Sequence, residues 1–182
     1  MIARTRLHLT GVCGGRQTGG VGISLGAALT DALLDRLGGR QLERYGALVV
    51  PIATVDAAGW PHIALLSYSE IVAGDRGMLR IAIGTRSGSA ANLRRTGQAT
   101  ILLFDAGLVH YIKGSARERR PSMKCSPRNA MFEVSVTDVL ADAADPRREG
   151  ESFVRGGLTF HCDPSWAAGR SAVLAELLSD SD

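Results

Sequence analysis

The stretch ALVVPIATVDAAGWPHIALLSYSEIV, residues 47–72, limits the fold more than any other part of the chain. Two β-rich runs flank Asp56-Ala57-Ala58-Gly59, and an Asp-to-Gly turn between such runs is hairpin chemistry. A hairpin makes its strands antiparallel, because a parallel pair needs a crossover of about a dozen residues or more. The pattern recurs. Gly74-Asp75-Arg76-Gly77 leads into MLRIAIG, and Asp105-Ala106-Gly107 separates QATILLFD from LVHYIKGSARE. In MFEVSVTDVLAD, Phe132, Val134 and Val136 fall on one face of a further strand. The expected fold is mainly β with some α: a six-stranded antiparallel barrel with flanking helices.

The helical signals are fewer. Leu25, Leu29, Leu33 and Leu37, with Ala28 and Ala32, recur at helical spacing up to Gly38-Gly39, and a short helical turn follows through Leu42. A short helix is expected near residues 88–95. A last one follows Asp163-Pro164, with Trp166, Val173, Leu174, Leu177 and Leu178 as its apolar stripe. RERRPSMKCSPRN, residues 117–129, reads as a basic, proline-broken loop, and residues 141–157 as a polar loop. Residues 1–24 read as a disordered leader with arginine, frequent glycine and no acid, and residues 25–182 as one domain.

Composition excludes several classes. A net charge of +3 is too small to select nucleic acid as a partner. No apolar run approaches the roughly 20 residues of a membrane helix. Cys13, Cys125 and Cys162 are odd in number and widely spaced, which fits a reducing cytoplasm better than a disulfide framework or a zinc site. His8, His62, His110 and His161 show no ligand spacing, so no metal is expected. There are no paired carboxylates and no Ser-His-Asp or Cys-His arrangement, so in an enzyme a cofactor would carry the chemistry.

The segment GTRSGSAANLRR, residues 84–95, concentrates glycine and hydroxyls at a helix start. Backbone amides there, with the helix dipole behind them, hold an anion with little side-chain charge. A capping role for Ser87 or Ser89 explains the same residues without a ligand.

From about residue 45 to 140 the chain resembles the pyridoxamine 5′-phosphate oxidase-like family of FMN-binding split β-barrels. The matching pieces are VDAAGWPHIALLSY, RIAIGTRSGSAANL and TGQATILLFD, in the family's order. The resemblance implies a homodimer with two flavin sites at its interface. It lays the family's basic strand pair on His62 and Ser67, and its Ser-Arg-Lys-like helix start on Ser87, Gly88 and Ser89. Only the serine is kept, and Arg86 is the replacement guanidinium. Leu65 and Thr85 complete the expected cofactor-contacting set, with Ser67 near the flavin ring. The missing basic clamp argues against pyridoxamine 5′-phosphate oxidase activity itself. The implied function is a flavin-dependent oxidoreductase acting on a small molecule. The alternative is a non-catalytic barrel that binds haem, the deazaflavin F420 or a polyanion. For the deazaflavin Arg80, Arg94 and Arg95 would have to converge, and for the polyanion the basic loop is the contact. Trp60 in the hairpin turn either packs on its own sheet or docks on a partner chain. Phe160-His161 could close one side of a pocket.

Overall fold

A computed structural model describes residues 22–143, 154–161 and 163–179. Among them the strands are β1 (Ile23–Ser24), β2 (Val49–Val55), β3 (Pro61–Ser67), β4 (Ile71–Asp75), β5 (Met78–Gly84), β6 (Gln98–Asp105), β7 (Leu108–Arg120) and β8 (Asn129–Ala143). The helices are α1 (Asp31–Leu37), α2 (Leu42–Tyr45), α3 (Gly88–Thr96) and α4 (Ala167–Ser179), the last preceded by a 3-10 turn at Pro164–Trp166.

All strand pairs are antiparallel, in the order β3-β2-β6-β7-β8-β5-β4. The long β8 bonds β7 along one side, and bonds β5 and then β1 along the other. The class is as expected, with eight strands rather than six. One added strand is a break within a single β-rich run. The Ser67 carbonyl accepts from the Glu70 amide, and the Glu70 carboxylate accepts from the Ser67 amide at 2.8 Å, so the run turns and becomes β3 and β4. The other is β1, which lies within the tract read as leader and pairs Ile23 and Ser24 with Ala141 and Leu140. The rest of that tract lies outside the described residues.

Two further boundaries differ. The tract read as a basic loop from Arg117 is strand as far as Arg120, because Ala116, Arg117 and Glu118 find cross-strand partners in Val134, Glu133 and Phe132, and Pro121 then ends the ladder. β8 likewise runs to Ala143, past the expected start of the polar loop, and residues 144–153 of that loop lie outside the described residues. Helix α1 is shorter than the leucine spacing suggests. Its N-cap is Thr30, whose hydroxyl accepts from the Leu33 amide, while the Leu25 amide bonds the Val139 carbonyl in the sheet.

Val50, Ile52, Leu79, Ile81, Ile101, Ile112, Phe132 and Val134 are fully buried inside the barrel, with Leu29, Leu33 and Leu37 of the α1 segment packed against it. The alternate residues Val72, Ala82 and Met131 face outward and are covered by Val173, Leu174 and Leu177 of α4. This explains why β5 is buried on both faces. The Arg36 guanidinium locks α1 to the sheet. Its Nε donates to the Tyr68 hydroxyl at 2.7 Å, Nη2 donates to the Phe104 carbonyl, and Nη1 lies 2.6 Å from the Asp105 carboxylate. The stacked rings of Tyr45 and Tyr68 lie against the same cation. Burial raises the Tyr68 hydroxyl above its ordinary pKa despite the adjacent cation, which keeps it a neutral acceptor for Arg36.

Candidate cofactor site at the start of helix α3

Helix α3 begins where β5 ends. Ser87 is the N-cap, with extended backbone, and its hydroxyl accepts from the Ala90 amide at 3.1 Å. The Ala91 amide reaches the Ser87 carbonyl. The amides of Gly88 and Ser89 are then the first-turn donors without an acceptor in the helix, as helix geometry requires. Gly97, with φ of +63°, closes the other end.

The structure brings His62 to this helix start. A Cβ on Gly88 would lie 3.2 Å from His62 Cε1 and 3.3 Å from Nε2, so the imidazole rests directly over the first turn. The floor beneath it is a buried relay that sequence reading missed. Asn92 Nδ2 donates to Thr54 Oγ1 at 3.0 Å, and Thr54 Oγ1 donates to the His62 carbonyl at 3.3 Å. Thr54 and Asn92 are single polar residues at inward positions of a strand and a helix, and each is the other's hydrogen-bonding reason to be buried.

Thr85 is tied on three sides. Its amide donates to the Arg128 carbonyl, its hydroxyl to the Pro121 carbonyl, and its own carbonyl accepts from Arg94 Nη1. Arg128 is thereby seated beside Arg86. Both are exposed, and neither has an acidic partner among the described residues. Ser89 is 1% exposed, and its hydroxyl has no partner among the described residues.

The other expected contacts lie elsewhere. The Ser67 hydroxyl is bound to Glu70 and Ser69, both at 2.8 Å, and Ser69 in turn accepts from Arg170 of α4. Leu65 is 55% exposed, on the outer face of β3 with Ile63. Tyr68 joins the Arg36 cluster, so the two neighbouring side chains are separated as strand alternation requires. Arg80, Arg94 and Arg95 do not converge. Arg80 sits by Glu133 and donates to the Leu177 carbonyl; Arg94 makes a two-pronged pair with Glu118; Arg95 bonds the Val55 carbonyl. Trp60 is 70% exposed at the tip of the β2–β3 hairpin, so it does not pack on its own sheet. The Phe160 amide bonds the Ala47 carbonyl and its ring lies under Arg170. Cys125 is a free thiol; burial and the neighbouring Glu176 push it up to about 11. Cys13, Cys162 and His8 lie outside the described residues. Among the described residues no group of three or more His, Cys, Asp or Glu could hold a metal ion, and no helix is long and apolar enough to cross a membrane.

No family model matches the sequence. An uncharacterised protein of Bacillus subtilis, YclD, is 29% identical over 116 residues, which is 64% of this chain and 75% of the relative. Among solved structures, HupZ of Group A Streptococcus superposes with a TM-score of 0.50 at 17% identity, over 64% of this chain and 99% of that one. A putative pyridoxamine 5′-phosphate oxidase of Lactobacillus delbrueckii gives 0.48 at 14% identity, over 64% and 97%. The fold is the pyridoxamine 5′-phosphate oxidase-like split barrel. A fold by itself leaves the ligand to be argued from the site.

Proposed function

We propose that this chain is an FMN-binding split barrel that acts as a flavin-dependent oxidoreductase on a small molecule, as a homodimer in the cytoplasm. The observation that carries the reading is the meeting of His62 with the free amides at the start of α3. Arg86 and Arg128, which have no acidic partner among the described residues, stand on adjoining backbone segments there. The residues fit a phosphate group. The Gly88 and Ser89 amides supply preorganised donors, and the Ser87 hydroxyl, already an acceptor from Ala90, still has its proton to give. Arg86 supplies a charge-assisted pair at the same turn.

When bound, the flavin would supply hydride and electron transfer. The chain's part is to hold its phosphate end and orient the rest. The Asn92–Thr54 relay fixes the backbone at His62, so the imidazole keeps its place over the first turn. The outer face of β3 presents Ile63 and Leu65, which are 54% and 55% exposed, with Trp60 at the tip of the β2–β3 hairpin. An apolar strip of this kind supports docking of a second copy beside the site. The polyanion alternative has less to stand on. Arg117 and Arg119 surround Glu133, and Arg120 pairs with Glu176 at 3.5 Å, so three of the five cations of the basic tract are engaged.

The test is the visible absorption spectrum of the purified protein, with mass spectrometry of whatever denaturation releases. FMN released from wild type and lost in Arg86→Glu and Ser87→Glu is the expected result. A protein that is colourless and takes up no added FMN overturns the reading. Release of haem or a deazaflavin replaces it with the corresponding alternative.

A further inference from the structure

A groove of about 450 Å³ crosses the outer face of the sheet, away from α4. Strand register builds it. Ala53, Thr100 and Lys113 stand side by side across β2, β6 and β7, and the next row is Gln98 and Ser115. Directly opposed residues in antiparallel strands project to the same face, so these side chains form one surface. Val55 and Pro61 add an apolar wall.

The floor is rigid at its centre. A bulge between Lys113 and Gly114 leaves Thr137 of β8 without a register partner, and the Thr137 hydroxyl donates to the Lys113 carbonyl at 3.1 Å. A Cβ on Gly114 would lie 2.5 Å from Val134 Cγ1 and 2.7 Å from the Ser135 carbonyl oxygen, so glycine alone allows the strands to close up there.

The chemistry of the lining is one-sided. It contains one cation, Lys113, which is exposed and forms no ion pair with the described residues, and it contains no carboxylate. The nearest acid by register is Asp138, opposite Lys113 on β8, and its Oδ1 is held by the Ser24 hydroxyl at 2.7 Å. Thr100 and Ser115 add hydroxyl donors beside the ammonium.

We propose that this groove binds a small carboxylate, with its charged end at Lys113 and the Thr100 and Ser115 hydroxyls and its apolar body against Ala53, Val55 and Pro61. The groove lies across β3 from the phosphate seat, since Pro61 and His62 are adjacent and project to opposite faces. As the substrate class of the oxidoreductase, this inference rests on the flavin reading. As a binding site it stands by itself.

Benzoate is a suitable probe, with benzamide as its neutral isostere. Titrated into the full-length protein and followed by amide chemical shifts, benzoate should move Thr100, Lys113 and Ser115 saturably. Benzamide should bind at least about tenfold more weakly, the share of a single charge-assisted contact. Lys113→Ala should lose benzoate binding by a similar factor, and Lys113→Arg should restore it. Arg86→Glu, designed to empty the phosphate seat, should leave benzoate binding intact, so the two readings fail separately. Equal binding of benzamide, indifference to Lys113→Ala, or shifts confined to residues outside the groove would overturn the proposal. So would loss of FMN from Lys113→Ala, which would make the groove part of the cofactor's own seat, or a groove that responds only to protein concentration, which would make it a contact between copies.

Discussion

Arg36 and Arg86 are the same residue type put to opposite uses. Arg36 is 7% exposed, with hydrogen bonds to Tyr68 and the Phe104 carbonyl, an ion pair with Asp105, and two aromatic rings against its plane. Arg86 is exposed at the end of β5 and meets no acid among the described residues. The same contrast separates the α4 side of the barrel from the α3 start and the outer groove. On one side Arg80, Arg117 and Arg120 have Glu133 or Glu176 for company; on the other Arg86, Arg128 and Lys113 form no ion pair among the described residues. A cation that folding has already neutralised contributes to stability and has little left for a ligand. A cation left unpaired at a helix start adds almost nothing to stability and is available to an anion.

The sharpest way to break this comparison is to remove one arginine of each kind. Arg36→Ala leaves Tyr68, Asp105 and the Phe104 carbonyl without their shared donor, and should cost about 3 kcal/mol in urea unfolding. Arg86→Ala should leave the unfolding midpoint within error. If the two variants unfold alike, the division is wrong. Arg86→Glu carries the next effect: FMN affinity in equilibrium dialysis should fall about tenfold or more, because attraction to the phosphate becomes repulsion. Unchanged affinity would detach Arg86 from the seat.

A smaller effect belongs to the relay beneath the site. Thr54→Val keeps the shape but strands the Asn92 amide and should cost about 1–2 kcal/mol. A matching decline in FMN affinity would link the relay to His62, and stability loss alone would make it structural. The smallest effect tests the paired side. His110 is buried at the β6–β7 hairpin, with Nδ1 3.9 Å from Asp105, and burial lowers its pKa from 6.5, against the pull of Asp105 and with the help of Arg36. Its folded value lies below its unfolded one, so the unfolded chain binds the proton first. Stability present above pH 6.5 is therefore lost as pH falls toward the depressed folded value. Thermal unfolding between pH 7 and 5 should show this slope, and His110→Gln should flatten it.

Much of the scaffold was legible because turns and periodicity are local signals. Asp56–Gly59 and Asp105–Gly107 mark hairpins whatever surrounds them, and Ser87 and Gly97 bound α3 by capping chemistry alone. The break at Ser67–Glu70 was hidden, since the run from His62 to Val72 holds no Gly or Pro to punctuate it and the turn depends on one carboxylate. The pairing of Arg117 with Glu133 was hidden too, because a charge-rich stretch becomes strand only when a partner ladder reaches it. His62 could be named from the resemblance, but nothing near it in the chain points to Thr54, Asn92 or Arg128.

What the sequence determined by itself is therefore the antiparallel β class, the hairpin turns, the capped start of α3, and a glycine- and serine-rich turn fit for an anion. All of these follow from backbone preferences over a few consecutive residues. What only the tertiary structure decided is which charges are spent and which remain. Arg80, Arg94 and Arg95 find a carboxylate or a carbonyl, while Arg86, Arg128 and Lys113 form no ion pair among the described residues. The reason is physical. The partner of a long, charged side chain is set by distances between strands and helices far apart in the chain, and local sequence carries no record of those distances.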